Sequence, residues 1–351
     1  MTDSNRFARR RLLAIVVIAG LLIGASAAYL NRGALKNAFQ MAFSSDYEGP
    51  GSGTVTIEIA AGSDGTAITR QLVQAQVVKD FGITYKYVVN ENPTFYPGTF
   101  NLKRHMSTKQ AIAVLTNPDN AVHVKVTIKE GLRLSQIFKE LQKATGIEIS
   151  AFETQAKNLS QFGLPIEAPS LGGYLFPATY SFEPKVSAKQ VIEIMVARMF
   201  DELDKFSVAQ ADRHQVLTLA AIIQKEARQT ADFYKVSRVF TNRLKISMPL
   251  QSDATVSYGS GGSTVTTTDA ERADPNGYNT YVHKGLPIGP ISAPGALAIE
   301  AALHPVSGTW LYFCAINLKT GETVFSTTIS EHDAAVAKFR KWIQENPGWN
   351  G

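Results

Sequence analysis

Apolar and polar positions alternate from Thr54 to Ile59, placing Val55, Ile57 and Ile59 on one face, as in a half-buried strand. The period then changes. Ile68, Leu72, Ala75 and Val78 recur at helical spacing and predict a helix. A weak echo follows: Val126-Thr127-Ile128-Lys129-Glu130-Gly131, then Ile137 and Leu141, resembles Thr56–Gly62, then Ile68 and Leu72. Both stretches read as strand, glycine turn and helix. Ser107–Leu115 and Ser187–Phe200 each open with a good N-cap residue and continue with helical periodicity. Pro165 to Pro169 marks a loop, and Gly172-Gly173-Tyr174-Leu175-Phe176-Pro177 is too rich in Gly and Pro for regular structure. Further on, helices are expected near 207–228 and 232–246. A long Gly/Ser/Thr loop at 251–281 and a Pro/Gly-rich segment at 285–295 come next. A short helix at 295–303, strands Trp310–Ile316 and Thr323–Ser326, and an amphipathic helix at 330–344 complete the pattern. Helices and strands mix without a regular βαβ period, so the fold class is α+β.

Ahead of all this, Leu12–Leu30 reads LLAIVVIAGLLIGASAAYL and carries no charge. At 1.5 Å per residue its length is about 28 Å, close to the hydrocarbon thickness of a bilayer. Arg6, Arg9, Arg10 and Arg11 precede it and place that end in the cytoplasm. A cleaved signal peptide is the competing reading, because Ala25-Ser26-Ala27-Ala28 resembles a cleavage site, but the apolar run is longer than a usual signal core. A single retained transmembrane helix is expected. The chain then divides into a cytoplasmic tail (1–11), the helix (12–30), a linker (31–53) ending in Gly49-Pro50-Gly51-Ser52-Gly53, a small α/β module (54–122), a connecting α/β region (123–205) and a mixed α+β catalytic domain (206–345).

The 351 residues have a formal net charge of +5. Residues 1–11 hold four arginines against Asp3, so only +2 belongs to the rest. The basic balance is a topology signal, and no nucleic-acid partner is expected. Cys314 is the single cysteine, so a disulfide framework and paired-cysteine redox or zinc motifs are excluded, and it reads as a core residue of a strand. No HExxH, P-loop, GxGxxG after a strand, S-x-x-K or G-x-S-x-G occurs, and the six histidines lack metal-ligand spacing. Neither a metal nor a cofactor is expected.

One carboxylate stands apart. Glu226 follows Ile222, Ile223 and Leu219 by four, three and seven residues, on or beside an apolar helical stripe. An acid there loses hydration, its pKa rises, and it stays protonated near neutral pH, as a general acid for a glycosidic oxygen must. A structural ion pair, with Arg243 as partner, is the alternative. Gln251 and Asp253 lie on a loop after the next helix. Tyr278, Asn279 and Tyr281 follow an Asn276-Gly277 turn, and Tyr174, Phe176 and Tyr180 form an aromatic cluster. Aromatic faces beside amides suit sugar rings, although tyrosines near turns also serve as core anchors.

In order along the chain stand Gly173-Tyr174-Leu175-Phe176-Pro177-Ala178-Thr179-Tyr180, Leu219-Ala220-Ala221-Ile222-Ile223-Gln224-Lys225-Glu226, Val239-Phe240-Thr241-Asn242-Arg243-Leu244, and Met248-Pro249-Leu250-Gln251-Ser252-Asp253-Ala254-Thr255-Val256. Tyr278-Asn279-Thr280-Tyr281, Gly285-Leu286-Pro287-Ile288-Gly289-Pro290-Ile291, Ala301-Ala302-Leu303-His304-Pro305 and Phe325-Ser326 with Glu331-His332 follow. This series resembles the endolytic murein transglycosylases (the MltG or YceG-like family), membrane-anchored bacterial proteins. The resemblance implies that Glu226 is the catalytic acid and that the first extracytoplasmic segment is a LysM-like module. The partners it implies are peptidoglycan glycan strands and peptidoglycan synthases at the membrane. The chain departs from the family pattern at Gly172 and Gln224, where glutamates are frequent, at Ile288 (proline) and at Val324 (histidine). The implied reaction cleaves MurNAc–GlcNAc β-1,4 bonds within strands and leaves 1,6-anhydroMurNAc ends. Gln251, Asp253, Tyr278, Asn279, Tyr281 and Tyr174 are the expected substrate contacts, Asp253 foremost. A two-carboxylate hydrolase using Glu226 with Asp253, and a non-catalytic peptidoglycan-binding scaffold, are the rival functions.

Overall fold

In the computed structural model, which describes residues 46–262 and 267–348, the first strand, β1, runs over Pro50–Ile59. It starts four residues before the alternation predicts. The Gly/Pro stretch expected to close the linker is instead a bulged strand end, with Gly51 and Gly53 at positive φ and Pro50 and Ser52 paired to Met106 and Arg104. Its partner is the antiparallel β2 (Gly98–Met106), with Ile57 opposite Phe100. Two helices stand between them, α1 (Gly65–Gln74) and α2 (Phe81–Glu91), and α3 (Thr108–Leu115) follows. The Asp64 side chain caps α1 by accepting from the Ala67 N–H at 2.7 Å. Helical spacing persists to Val78, but α1 ends at Gln74, because Gln76 takes a left-handed conformation and turns the chain. Ile57, Ile59, Ile68, Leu72, Phe100, Leu102, Ile112 and Leu115 fill one core. This compact unit ends at Val122, and a second begins at His123.

The second unit opens with β3 (Val124–Thr127), paired antiparallel to β4 (Thr179–Phe182). Between them lie α4 (Leu134–Thr145) and α5 (Ile149–Ala156). The Gly172–Pro177 segment has no regular structure, as expected, yet it is buried throughout. Gly173 is required there. Its φ is +78°, and a Cβ would lie 2.2 Å from the Cβ of Pro290.

Four helices then build the core: α6 (Ala188–Lys205), closed at its N-terminus by a Ser187–Gln190 capping box, α7 (Arg213–Glu226), α8 (Thr230–Lys245) and, later, α11 (Ala296–Leu303). Every residue of α7 from Leu217 to Ile223 is buried, which explains the continuous apolar run. The segment expected as one long loop carries two short helices, α9 (Asp253–Gly259) and α10 (Asp269–Ala273). The latter forms because Thr268 and Glu271 make a capping box that outweighs the local Gly/Ser/Thr content. A hairpin of β5 (Tyr312–Asn317) and β6 (Glu322–Ser326) packs against α12 (Ile329–Glu345). The three sheets among the described residues are two-stranded. The expected transmembrane helix, cytoplasmic tail and most of the linker lie outside the described residues. Among those described, no helix is long and apolar enough to cross a membrane.

Candidate active site

Glu226 is the last residue of α7, where the buried helix reaches the surface of a cleft. Ser252 donates its hydroxyl to Glu226 Oε1 at 2.5 Å, and the Ala254 N–H also donates to the carboxyl group. Burial raises the Glu226 pKa above the usual carboxylate range. Neighbouring Asp253 pushes the same way, while the Ser252 and Ala254 hydrogen bonds and the charge of Arg228 oppose it and are outweighed. The ion pair with Arg243 is absent. The Arg243 guanidinium donates to the carbonyls of Leu311 (2.6 Å) and Leu250 (2.8 Å) instead, and lies over the Tyr312 ring.

A ring of hydroxyls holds Ser252 in place. Its N–H donates to Thr280 Oγ1 (3.0 Å), Thr280 shares a hydrogen bond with Thr255 Oγ1 (2.8 Å), and Thr255 donates back to the Ser252 carbonyl (2.7 Å). The Gln251 N–H donates to the Thr280 carbonyl (3.1 Å), and its backbone is left-handed, with φ +51°. These bonds lace 251–255 to 279–281 beneath the carboxyl group.

Of the expected substrate contacts, the structure brings Asp253 into the cleft with Glu226. Asp253 Oδ1 accepts from Tyr281 (2.9 Å) and Thr267 (2.7 Å), and Arg272 Nε lies at 3.5 Å. Tyr281 therefore acts as a partner of Asp253, and its phenol is pushed up to about 12, first by burial. Asn279 is wholly buried and ties the loop together, its Nδ2 donating to the carbonyls of Glu271, Arg272 and Asp274. Its side chain is not presented to a ligand. Tyr278 packs edge-on against Tyr258, and the Gln251 side chain is exposed. The Tyr174 side chain is wholly buried, so its ring is not a sugar-facing surface. Its hydroxyl bonds to His214 Nδ1 (2.7 Å), whose Nε2 meets the Ile288 carbonyl (3.1 Å).

The cleft has a volume of about 510 Å³. Arg133, Lys225 and Arg228 line it, and Phe313, Cys314 and Thr323 of the β5–β6 hairpin form one wall. Cys314, expected in the core, is half-buried there. Sequence reasoning missed Ser252, the three cations and the hairpin wall. One signal for Arg133 was present. It occupies the N-cap of α4, a position where Ser, Thr, Asp or Asn is usual, because its side chain leaves the helix to reach Ser257 and Gly262. Among the described residues, no group of three or more His, Cys, Asp or Glu side chains is placed to hold a metal ion.

The model of the YceG-like family matches residues 57–338. The chain belongs to the YceG-like family. The family resemblance read from the ordered motifs is therefore correct. This YceG-like chain is 34% identical over 310 residues to a Bacillus subtilis (strain 168) protein named endolytic murein transglycosylase, across 82% of this chain and 85% of that protein. A Streptococcus pneumoniae (serotype 2, strain D39) protein of the same name is 29% identical over 320 residues, across 81% of this chain and 58% of its own length. A crystal structure of a YceG-like protein from Listeria monocytogenes superposes with a TM-score of 0.54 at 33% identity, covering 80% of this chain and 99% of that one.

Proposed function

We propose that this YceG-like chain is an endolytic peptidoglycan transglycosylase, held at the cytoplasmic membrane by residues 12–30 with its catalytic domain outside. The observation that carries the reading is a single carboxyl group, Glu226, with a raised pKa and a bound hydroxyl at the floor of an open cleft. Protonated Glu226 gives its proton to the glycosidic oxygen as the bond from that oxygen to the muramyl anomeric carbon breaks. The carboxylate so formed takes the proton of the muramyl C6 hydroxyl, whose oxygen closes onto the anomeric carbon. The product is a 1,6-anhydro ring, no water is consumed, and Glu226 ends protonated. A hydrolase needs a second carboxylate beside the reacting centre. Asp253 is the other acid lining the cleft, and its Oδ1 already accepts from Tyr281 and Thr267, which favours the one-carboxyl scheme. The β–α–α–β order of β1, α1, α2 and β2 supports a LysM-like, wall-facing role for residues 54–122. Peptidoglycan synthases at the membrane are the protein partners this placement suits.

The test is digestion of uncrosslinked glycan strands by the wild type and by Glu226→Gln, with the products read by mass spectrometry. Anhydro-muramyl ends from the wild type alone are expected. Reducing ends would make the chain a hydrolase, and binding to sacculi without released fragments would make it a scaffold.

A further inference from the structure

The cleft wall is more cationic than a one-carboxyl reaction requires. Arg133, Lys225 and Arg228 line it together, and among the described residues none of them forms an ion pair with a carboxylate. Arg133 is held by neutral partners: Nη1 donates to the Gly262 carbonyl (2.5 Å), Nη2 to Ser257 Oγ (3.1 Å), and the guanidinium lies 5.4 Å over the Tyr258 ring. Lys225 Nζ is 3.5 Å from the Gly131 carbonyl. Arg228 is exposed, its stem against Gly321 in the β5–β6 turn. The acids of the cleft do not neutralise them. Glu226 is held towards its neutral form, and Asp253 is engaged with Arg272. Like charges collected on one wall repel one another, and a ligand anion relieves that repulsion. Arg133, fixed in advance by three contacts, loses little freedom when it takes such an anion.

We propose that Arg133, Lys225 and Arg228 form an anion subsite for carboxylates borne on the lactyl substituent of the muramyl residue. The inference rests on the glycan-cleaving reading above and narrows its substrate to acidic strands, as opposed to neutral amino-sugar polymers. Two sources supply this chemistry: the carboxylates of a stem peptide attached to the lactyl group, or the lactyl carboxylate itself when no peptide is attached.

The experiment compares uncrosslinked peptide-bearing strands before and after carbodiimide amidation of their carboxylates, cut by the full chain and by the Lys225→Gln/Arg228→Gln double variant. Amidation is expected to raise KM about tenfold for the native chain, the size of one lost charge-assisted hydrogen bond. That ratio falls towards one in the double variant. Arg228→Gln alone, at an exposed position, shows a smaller fall and serves if the double variant does not fold. Peptide-free strands identify the source. A KM as low as that of untreated strands assigns the anion to the lactyl carboxylate, and a KM near that of amidated strands assigns it to the peptide. Amidation of the peptide-free strands, where the lactyl carboxylate is the group lost, is read in the same way, and a native-chain ratio below about twofold on both kinds of strand, or a ratio that survives in the variants, overturns the subsite. Should the native chain cut no strand, the transglycosylase reading falls instead. The subsite is then judged by calorimetric binding of the same two strand preparations, and equal affinities overturn it.

Discussion

The β1–α1 unit and the β3–α4 unit follow the same local rules, strand to glycine turn to helix. Gly62 and Gly131 both take left-handed backbones, with φ of +80° and +73°. Their surroundings differ. A Cβ on Gly62 would meet nothing within 4 Å, whereas one on Gly131 would touch Gln224 and Lys225 at 3.7 and 3.9 Å. The Gly131 N–H donates to the Ala293 carbonyl, and the Ala293 N–H returns to Leu132. The caps differ too. Asp64 stabilises α1 with its own side chain, while Arg133, at the equivalent place on α4, sends its side chain into the cleft. The second unit keeps the reciprocal half of a capping box, the Arg133 N–H donating to Gln136 Oε1 (2.9 Å), gives up the N-cap half, a device usually worth about 1 kcal/mol, and gains a fixed cation beside the acid.

The largest expected effect lies at the acid that lines the cleft with Arg133. Glu226→Gln lowers strand cleavage by about 10²–10⁴-fold or more, the span of acid–base catalysis, measured as released fragments. The same variant raises Tm, and the sign follows from linkage. The native state holds its proton where the unfolded chain has lost it, so wild-type stability falls as pH rises above the ordinary carboxylate range, and Gln removes that loss. The Tm gain should therefore vanish in acid and grow towards neutral pH. Ser252→Ala comes next, at about tenfold in kcat, since a charge-assisted bond of this kind is worth ~1.5–3 kcal/mol. The Ser252 bond lowers the Glu226 pKa, so its loss moves the alkaline limb of the pH–rate profile to higher pH. An unmoved limb would show that Ser252 only packs.

Exchanging the caps tests the comparison itself. Asp64→Arg should cost about 1 kcal/mol of stability with cleavage unchanged. Arg133→Ser should supply the missing cap while raising KM several-fold for acidic strands. Smallest is the glycine pair. Gly62→Ala and Gly131→Ala each lose about 1–2 kcal/mol from the strained backbone, read by thermal unfolding. Only Gly131→Ala should also slow cleavage, by a few-fold. Equal effects on cleavage would show that the second turn is not special.

Periodicity located the elements well, because each is amphipathic or capped by adjacent residues. Ser187 before α6 and the spacing of Leu219, Ile222, Ile223 and Glu226 are of that kind. The strand start at Pro50 was hidden because pairing with Met106 compensates for a Gly/Pro-rich end. The acid stood out as a polar residue on an apolar stripe. Ser252, Lys225, Arg228 and the hairpin wall were illegible, since nothing local separates them from ordinary surface residues and only the packing of distant segments assembles them. Tyr174 and Asn279 show the reverse. Both occur in the ordered motifs, and the structure gives them supporting places, one beneath His214 and the other inside the 271–281 loop.

Arg243 does no chemistry, yet it governs a dimension. Its fork grips Leu250, just ahead of the segment that carries Ser252, and Leu311, at the root of the β5–β6 hairpin. The two sides of the cleft are thus tied by one planar group with a fixed spread between its nitrogens. A lysine there could hold one side or the other, and the gap between them would become a variable. The width of the cleft is set by the width of a guanidinium.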